Sequence, residues 1–242
     1  MLRAAIVGLG SWGQTLVNSV QGTKEIRFTV AYTRTSAKVE TFCRGREIRL
    51  AQSFDELLAD TAVDAVVLAT PHSQHEEQIK AAARAGKHVF TEKPVALERR
   101  GVEAAIRATR EAGVALGVGF NRRFHPSIRE LRQRVKQGQL GTIGCISAEL
   151  TATTAFYRAP DSWRVDPQEE PGGAICPGMH GSPRFARYSP TRRIEHAVAP
   201  VDITVFCCAV PSKVRSLGTM RLAINDGLES VSLFTGAERR GM

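Results

Sequence analysis

RAAIVGLGSWG, residues 3–13 of the chain, joins a short apolar run directly to a loop that contains three glycines. The run Arg3–Val7 ends at a glycine turn, which is typical of a buried strand in a parallel sheet. A helix is predicted to follow over Gln14–Ser19. The stretch therefore predicts a strand, a tight loop and a helix in immediate succession.

The same alternation of strand and helix patterns continues to about residue 120. Beyond the first pair, the predicted strands are Arg27–Thr33, Ala65–Ala69, His88–Thr91 and Val114–Val118, and the predicted helices are 53–58, the segment after Ser73, and Glu98–Glu111. Repeated strand–helix units produce a parallel sheet that is covered by helices on both faces. The sequence thus predicts an α/β, doubly wound domain over residues 1–120.

Local residue types indicate where some of these elements begin and end. Ser53 and Glu56 have the spacing of a capping box, in which the serine accepts from a backbone N–H and the glutamate reaches back. Ser73 is predicted to cap the helix that follows it. Gly86 and Gly113 suit the left-handed conformation that closes a helix.

The composition excludes several classes of protein. With 242 residues, 43% hydrophobic and 24% charged, the chain has the make-up of a globular protein and not of a disordered one. No stretch approaches the roughly 18 consecutive apolar residues of a membrane span, so no membrane partner is predicted. Gly8, Gly10 and Gly13 interrupt the apolar N-terminal run, which argues against a signal peptide.

The cysteines indicate a reducing compartment. Their number is odd and their spacing matches no disulfide framework, since two of them are adjacent and could not bridge without strain. They are Cys43, Cys145, Cys176, Cys207 and Cys208. Reduced thiols favour a cytoplasmic location.

The glycine loop carries the first chemical signal, because Gly8, Gly10 and Gly13 fit the pattern G-x-G-x-x-G between a strand and a helix. The first glycine allows the tight turn, the second lets backbone approach a pyrophosphate, and the third lets helix and strand pack closely. A purely structural turn is the alternative, but the strand–loop–helix setting favours a Rossmann dinucleotide site. Its predicted cofactor-binding residues are Gly8, Gly10, Ser11, Trp12 and Gly13.

The end of the second predicted strand bears on which dinucleotide is bound. An NAD site usually has an acidic residue about 20 residues beyond the loop, where it bonds the ribose hydroxyls. Here the chain has Thr33 and Arg34 and no acid. An arginine can pair with a 2′-phosphate that a carboxylate would repel. The sequence therefore favours NADP, with NAD as the alternative.

The net charge of +9, from 33 basic and 24 acidic residues, first suggests a nucleic-acid-binding protein. Many of the arginines, however, lie on predicted helix faces such as that of Pro126–Gln137, and positive charge also attracts a phosphorylated cofactor. No zinc-finger, basic-zipper or aromatic-interleaved basic motif is present in the sequence. No nucleic-acid partner is therefore predicted.

Several motifs after the glycine loop resemble one enzyme family. They are ATPHSQH at 69–75, EKP at 92–94, GFNRRFHP at 119–126, WRVDP at 163–167 and PGGA at 171–174. Together they resemble the glucose-fructose oxidoreductase, inositol dehydrogenase and rhizopine-catabolism (Gfo/Idh/MocA) family of pyridine-nucleotide oxidoreductases. The resemblance extends from residue 3 to about residue 180.

The resemblance implies hydride transfer between NAD(P) and a small-molecule sugar, polyol or inositol, or the matching ketone. Lys93 stands at the family's active-site lysine, at the end of a strand where doubly wound folds bind ligands. Its ammonium can stabilise a developing alkoxide or relay a proton. The further cofactor-site residues that the resemblance implies are Thr70, Pro71, His75, Glu92, Lys93 and Asn121.

The catalytic segment departs from the family pattern. Many members have Asp-x-x-x-His, with the histidine as general base, whereas this chain has Cys176 at the aspartate position and His180 at the histidine. His180 is the second predicted catalytic residue. A nucleophilic Cys176–His180 pair is rejected because Pro177 and Gly178 disfavour a helix there, and no residues have the spacing of a metal site.

The resemblance also implies a second domain over 121–242, of α+β type with a mostly antiparallel sheet. Residues 181–200 match no family element, while Leu228–Phe234 and the segment before it suggest a hairpin. We therefore expect an incomplete domain, shortened or frame-disrupted after about residue 180. Such a sheet would weaken a possible homo-oligomer, and a non-catalytic dinucleotide-binding remnant or regulator is the alternative function.

Overall fold

The structure, a computed structural model, describes residues 1–140, together with 162, 163, 166, 168 and 169 and the backbone of four strands further along the chain. The described residues fall into two compact units. The first contains Met1–Phe120 and the described residues of Pro160–Gly173. The second contains the described residues of Asn121–Ala159 and Ala174–Met242.

The first unit alternates strands and helices along the chain. Its strands are β1 (Leu2–Val7), β2 (Ile26–Tyr32), β3 (Arg49–Leu50), β4 (Ala65–Leu68), β5 (His88–Thr91) and β6 (Leu116–Val118). Its helices are α1 (Ser11–Val20), α2 (Glu40–Arg44), α3 (Phe54–Ala59), α4 (His75–Arg84) and α5 (Arg99–Glu111), with short 3₁₀ helices at Ser36–Lys38 and His72–Gln74.

These strands form one six-stranded sheet in the order β3-β2-β1-β4-β5-β6. Every pairing in it is parallel. This is the strand order of a Rossmann fold, and it confirms the predicted doubly wound α/β sheet. The order reverses at β1, so β1 lies between β2 and β4 and the glycine loop lies at the switch point.

The core lies on both faces of the sheet, and β1 requires consecutive apolar residues because its side chains enter both parts of the core. Ala4 and Ile6 pack in one cluster with residues of α1 and α2, such as Val17 and Cys43. Ala5 and Val7 point to the opposite face, where they pack with residues of α3, α4 and α5. Since each of these four β1 side chains is at most 1% exposed, neither face of the strand tolerates a polar residue.

The predictions of helix ends from local residue types are confirmed in part. The Oγ of Ser53 accepts from the N–H of Glu56 at 3.0 Å, and the Glu56 carboxylate reaches back to the N–H of Gln52. Gly86 and Gly113 have φ of +70° and +67°, as predicted. The prediction that Ser73 caps α4 is wrong, because α4 begins at His75 and the cap position is Gln74.

Sequence patterning also missed two elements of the first unit. β3 has two residues and α2 has five, and neither is long enough to develop a hydrophobic period. Their positions depend on pairing with β2 and on burial of Cys43 against the sheet.

The second unit is described by its own elements. The 3₁₀ helix Asn121–Phe124 precedes α6 (Pro126–Lys136), and the later strands are β7 (Cys145–Ala148), β8 (Val201–Cys207), β9 (Gly218–Asn225) and β10 (Leu228–Thr235). The four strands pair antiparallel in the order β10-β9-β8-β7. Among the described helices of the chain, none has the length and apolarity to cross a membrane.

Candidate functional site

The carboxyl edge of the parallel sheet gathers most of the predicted site residues. Consecutive loops are tied to the neighbouring strand ends by backbone hydrogen bonds: Gly8 N–H donates to Tyr32 O at 2.9 Å, and Ala69 N–H to Val7 O at 2.8 Å. In the same way, Glu92 N–H donates to Leu68 O at 2.9 Å. The loops after β1, β2, β4 and β5 therefore lie side by side on one edge.

The glycine loop is packed so tightly that two of its three glycines have no room for a side chain. Gly8 has a φ of +90°, and a Cβ there would lie 2.6 Å from Ala69 O. A Cβ on Gly13 would lie 2.0 Å from Gly8 O. A Cβ on Gly10 would meet nothing within 4 Å, so Gly10 instead faces open space.

The open space at Gly10 adjoins the N-terminus of α1. Gly10 is the N-cap residue, no side chain caps this helix, and its first turn has no acidic residue. Trp12 has a buried Nε1 that finds no hydrogen-bond partner among the described residues. An uncapped helix N-terminus attracts an anion through its N–H groups and its dipole. The residues present thus fit the pyrophosphate of a dinucleotide.

The end of β2 presents polar and basic side chains. Thr33 is half-buried, and Arg34 and Thr35 are exposed. Within the described part of the chain, Arg34 forms no ion pair. The guanidinium of Arg34 is therefore accessible to a ligand phosphate, and no carboxylate follows it before Glu40.

The loop after β4 is held by its own side chains. Thr70 Oγ1 donates to Gln78 Oε1 at 2.6 Å. His75, at the start of α4, is fully buried, and its Nδ1 and Nε2 lie 2.6 Å from Pro94 O and 3.0 Å from Thr70 O. Burial lowers the pKa of His75. The ring therefore joins two loops of this edge from the inside.

The loop after β5 carries the predicted catalytic lysine. Lys93 is half-buried, and its backbone N–H donates to Glu92 Oε2 at 3.3 Å. The Glu92 side chain is buried against Gly119, where a Cβ would lie 2.5 Å from Glu92 Oε1. The Glu92 carboxylate thus approaches the backbone of Gly119 closely, and a glycine in the sequence does not by itself indicate such an approach.

Glu169 and Trp163 also belong to this unit, although sequence reasoning gave neither a role in the site. Glu169 accepts from the N–H and Oγ of Ser73, and its carbonyl oxygen lies 2.7 Å from His72 Nδ1. The Trp163 ring meets the His72 ring edge-on, with centroids 4.8 Å apart. Sequence patterns could not indicate the Ser73–Glu169 contact, because 96 residues separate the two. For the Trp163 contact, the only signal in the sequence is the WRVDP motif at 163–167, which carries part of the family resemblance.

The structure thus brings the predicted residues of the first unit to one sheet edge. Asn121 begins the 3₁₀ helix Asn121–Phe124 of the second unit. His180 and Cys176 lie outside the described residues. Among the described residues, no group of three or more His, Cys, Asp or Glu side chains could hold a metal ion.

Comparison with known proteins points to one family. Residues 2–120 match the Gfo/Idh/MocA family model, described as an oxidoreductase family with an NAD-binding Rossmann fold. Inositol 2-dehydrogenase of Rhizobium meliloti (strain 1021) is 31% identical over 174 residues, which are 71% of this chain and 50% of that protein.

Two solved structures are similar to the chain in fold and sequence. Scyllo-inositol dehydrogenase from Lactobacillus casei, with bound NAD(H) and scyllo-inositol, has a TM-score of 0.61 and 27% identity, over 65% of this chain and 47% of that one. KijD10, a 3-ketoreductase from Actinomadura kijaniata in complex with TDP-benzene and NADP, has a TM-score of 0.58 and 26% identity, over 62% and 48%. The chain spans about half the length of the relatives that it matches.

Proposed function

From the premise that residues 2–120 belong to the Gfo/Idh/MocA oxidoreductase family, we propose that this protein transfers a hydride between a nicotinamide dinucleotide and a sugar, polyol, inositol or related carbinol or ketone. The observation that carries the proposal is that the glycine loop and Lys93 share the carboxyl edge of one parallel sheet. Ligands of doubly wound folds bind at this edge, beside the switch point.

NADP is the proposed cofactor, with NAD as the alternative. Backbone N–H groups at the start of α1 would hold the pyrophosphate, and Gly10 leaves the space for it. Arg34, with Thr33 beside it, would hold the 2′-phosphate, because its guanidinium can form two parallel hydrogen bonds with phosphate oxygens. Thr70, Pro71 and the Glu92–Lys93 loop would flank the nicotinamide ribose.

The chemistry assigned to this chain's own residues is proton handling and orientation. When bound, the nicotinamide supplies or accepts the hydride. In oxidation, the carbinol carbon loses a hydride and its hydroxyl loses a proton; in reduction, both are returned. The Lys93 ammonium donates a hydrogen bond to the reacting oxygen and stabilises its alkoxide character. His180 is the proposed base that accepts the hydroxyl proton.

The proposed function extends to the domain organisation, location and partners of the protein. Residues 1–120 form the cofactor domain, and 121–242 contribute an α+β domain with a mostly antiparallel sheet, Asn121 lying at its start. A cytoplasmic location is supported by the free, buried thiol of Cys43. The proposed partner is the small-molecule substrate, with a possible homo-oligomer and no role for nucleic acid or a membrane.

The test follows NADPH absorbance while purified protein is supplied with a panel of ketoses and inosose-type ketones, and NADP with the matching alcohols. We expect turnover with at least one pair and its loss in Lys93→Ala. Lys24→Ala, a change at an exposed lysine remote from the carboxyl edge, is the matched control and should retain the rate. Equal rates for the two variants would contradict the role of Lys93.

A non-catalytic dinucleotide-binding remnant or regulator is the second candidate. The observation that favours it is Cys176 at the position where many relatives have an aspartate. It predicts that NADPH fluorescence changes on binding while no substrate is turned over. Failure to bind either dinucleotide would contradict both candidates.

A further inference from the structure

His75 occupies a position between two loops of the candidate site. It is 0% exposed, and its ring nitrogens face two backbone carbonyls on different loops. Nδ1 lies 2.6 Å from Pro94 O, after β5, and Nε2 lies 3.0 Å from Thr70 O, after β4. Because β4 and β5 are adjacent parallel strands, one imidazole spans both loops at the carboxyl edge.

The ring is held in this position by the helix that carries it. His75 is the first residue of α4, and Ile79, one turn later, is fully buried, as is Ala82. The His72 ring lies beside it at a centroid distance of 5.9 Å. The His75 side chain is therefore anchored on a buried part of α4, and its imidazole extends from there toward the two loops.

The contact with Pro94 bears directly on Lys93, the preceding residue. Lys93 has its N–H on the Glu92 carboxylate, and that carboxylate is packed against Gly119. The loop is thus restrained before Lys93 by Glu92 and after it by the His75 ring. A restrained backbone reduces the range of positions that the lysine ammonium can reach.

We propose that His75 is a positioning residue, which sets the placement of Lys93 by donating from Nδ1 to the Pro94 carbonyl, while its Nε2 lies against the Thr70 loop. The inference rests on the proposed function for the role of Lys93 but concerns a different residue and a different task. This role differs from the direct cofactor contact that the resemblance implies for His75, because the ring is fully buried and both of its nitrogens face backbone carbonyls.

The protonation of the ring agrees with this geometry. A neutral imidazole has one N–H. The contact of Nδ1 with Pro94 O is shorter than that of Nε2 with Thr70 O, so we assign the hydrogen to Nδ1, which donates to Pro94 O. Burial lowers the pKa of His75 and the nearby His72 acts in the same direction, while the two carbonyls and the Glu92 carboxylate oppose them. The ring is therefore neutral at pH 7 and donates toward the Lys93 loop.

The experiment measures the acetylation rate of Lys93 by acetic anhydride in the full chain, with peptides quantified by mass spectrometry and exposed Lys24 as the internal reference. In His75→Leu, which removes both nitrogens, we expect a several-fold change in the Lys93 rate relative to Lys24. His75→Gln retains an amide donor and should recover part of the wild-type rate. Ile79→Ala, a buried change on the same helix that touches neither carbonyl, is the control for general destabilisation.

The outcomes separate this inference from the proposed function. An unchanged Lys93 rate in His75→Leu, or an equal change in Ile79→Ala, would overturn the positioning role. If His75→Leu does not fold, His75→Phe, which keeps a ring but has no nitrogen donor, takes its place, and an unaltered Lys93 rate there overturns the role. A changed Lys93 rate in a protein without any turnover would support the positioning role while the proposed oxidoreductase function fails.

Discussion

Glu169 and Ser73 lie 96 residues apart in the chain and are joined by two hydrogen bonds to one carboxylate. The Ser73 N–H donates to Oε2 at 2.9 Å, and its hydroxyl donates to Oε1 at 2.5 Å. The bonds attach the segment that contains Trp163 to the turn after β4, beside His72. A segment from beyond residue 160 is thereby part of the first unit.

Removing this carboxylate should loosen the turn after β4. In Glu169→Ala, the Ser73 amide loses its acceptor, so its hydrogen exchange should accelerate about fivefold or more, as expected for one hydrogen bond of about 1 kcal/mol. Glu169→Gln retains an oxygen acceptor, so the exchange rate of the Ser73 amide in this variant should lie between those of the wild type and Glu169→Ala. Hydrogen-exchange mass spectrometry of the peptide around Ser73 measures this. Gln168→Ala is the control, and equal exchange in all three variants would contradict the bond.

The glycine loop allows a sharp comparison of fold and binding. Gly13→Ala should lower the melting temperature strongly, because its Cβ would lie 2.0 Å from Gly8 O. Gly10→Ala should leave the melting temperature nearly unchanged but weaken NADPH binding about tenfold or more, since the methyl group enters the space for the pyrophosphate. Calorimetry and NADPH fluorescence measure the two effects. Gly22→Ala, also in open space, should change neither, and unaltered binding in Gly10→Ala would refute the placement.

Arg34 should determine the preference between the two dinucleotides. Arg34→Ala removes the proposed phosphate partner, so NADPH affinity should fall about tenfold or more while NADH affinity changes little. Fluorescence titration at low and high salt measures both constants. Arg107→Ala, at an exposed position on α5, is the matched control. A parallel loss of NADPH and NADH affinity would show that Arg34 does not read the 2′-phosphate.

Acid should destabilise the first unit through His75. Burial holds the pKa of His75 below its ordinary 6.5, so the unfolded chain binds a proton before the folded one does. The associated stability is complete above pH 6.5 and is lost as the pH falls below it toward the folded-state pKa. Melting temperatures from pH 8 to 5 should therefore fall, and His75→Gln should flatten that dependence. A slope in His75→Gln equal to that of the wild-type protein would contradict the assignment.

The pair Arg3–Asp64 should act at lower pH. The Arg3 side chain and N–H donate to the Asp64 carboxylate and hold its pKa at about 2, below the ordinary 3.8. The stability from this carboxylate is present above pH 3.8 and is lost as the pH falls toward 2. Asp64→Asn should flatten the melting curve in that window. A slope in Asp64→Asn equal to that of the wild-type protein would contradict the assignment.

Much of the parallel sheet could be predicted because its signals are local. Alternating apolar runs, the glycine spacing and the glycines that end helices depend on neighbours within a few residues. His88–Thr91 was predicted at its observed bounds, and the other long strands to within one or two residues. β3 escaped prediction because two residues cannot show a period, and Ser73 was misassigned because its acceptor, Glu169, is far away in the chain.

By itself, the sequence determined the parallel sheet and the glycine loop, because backbone sterics and side-chain burial act within each short segment. Only the tertiary structure decided how the side chains of neighbouring loops contact one another. It turned His75 inward between Thr70 and Pro94, set Glu92 against Gly119, and joined Ser73 to Glu169. Such contacts depend on which strand ends become neighbours, and that proximity arises when the sheet assembles.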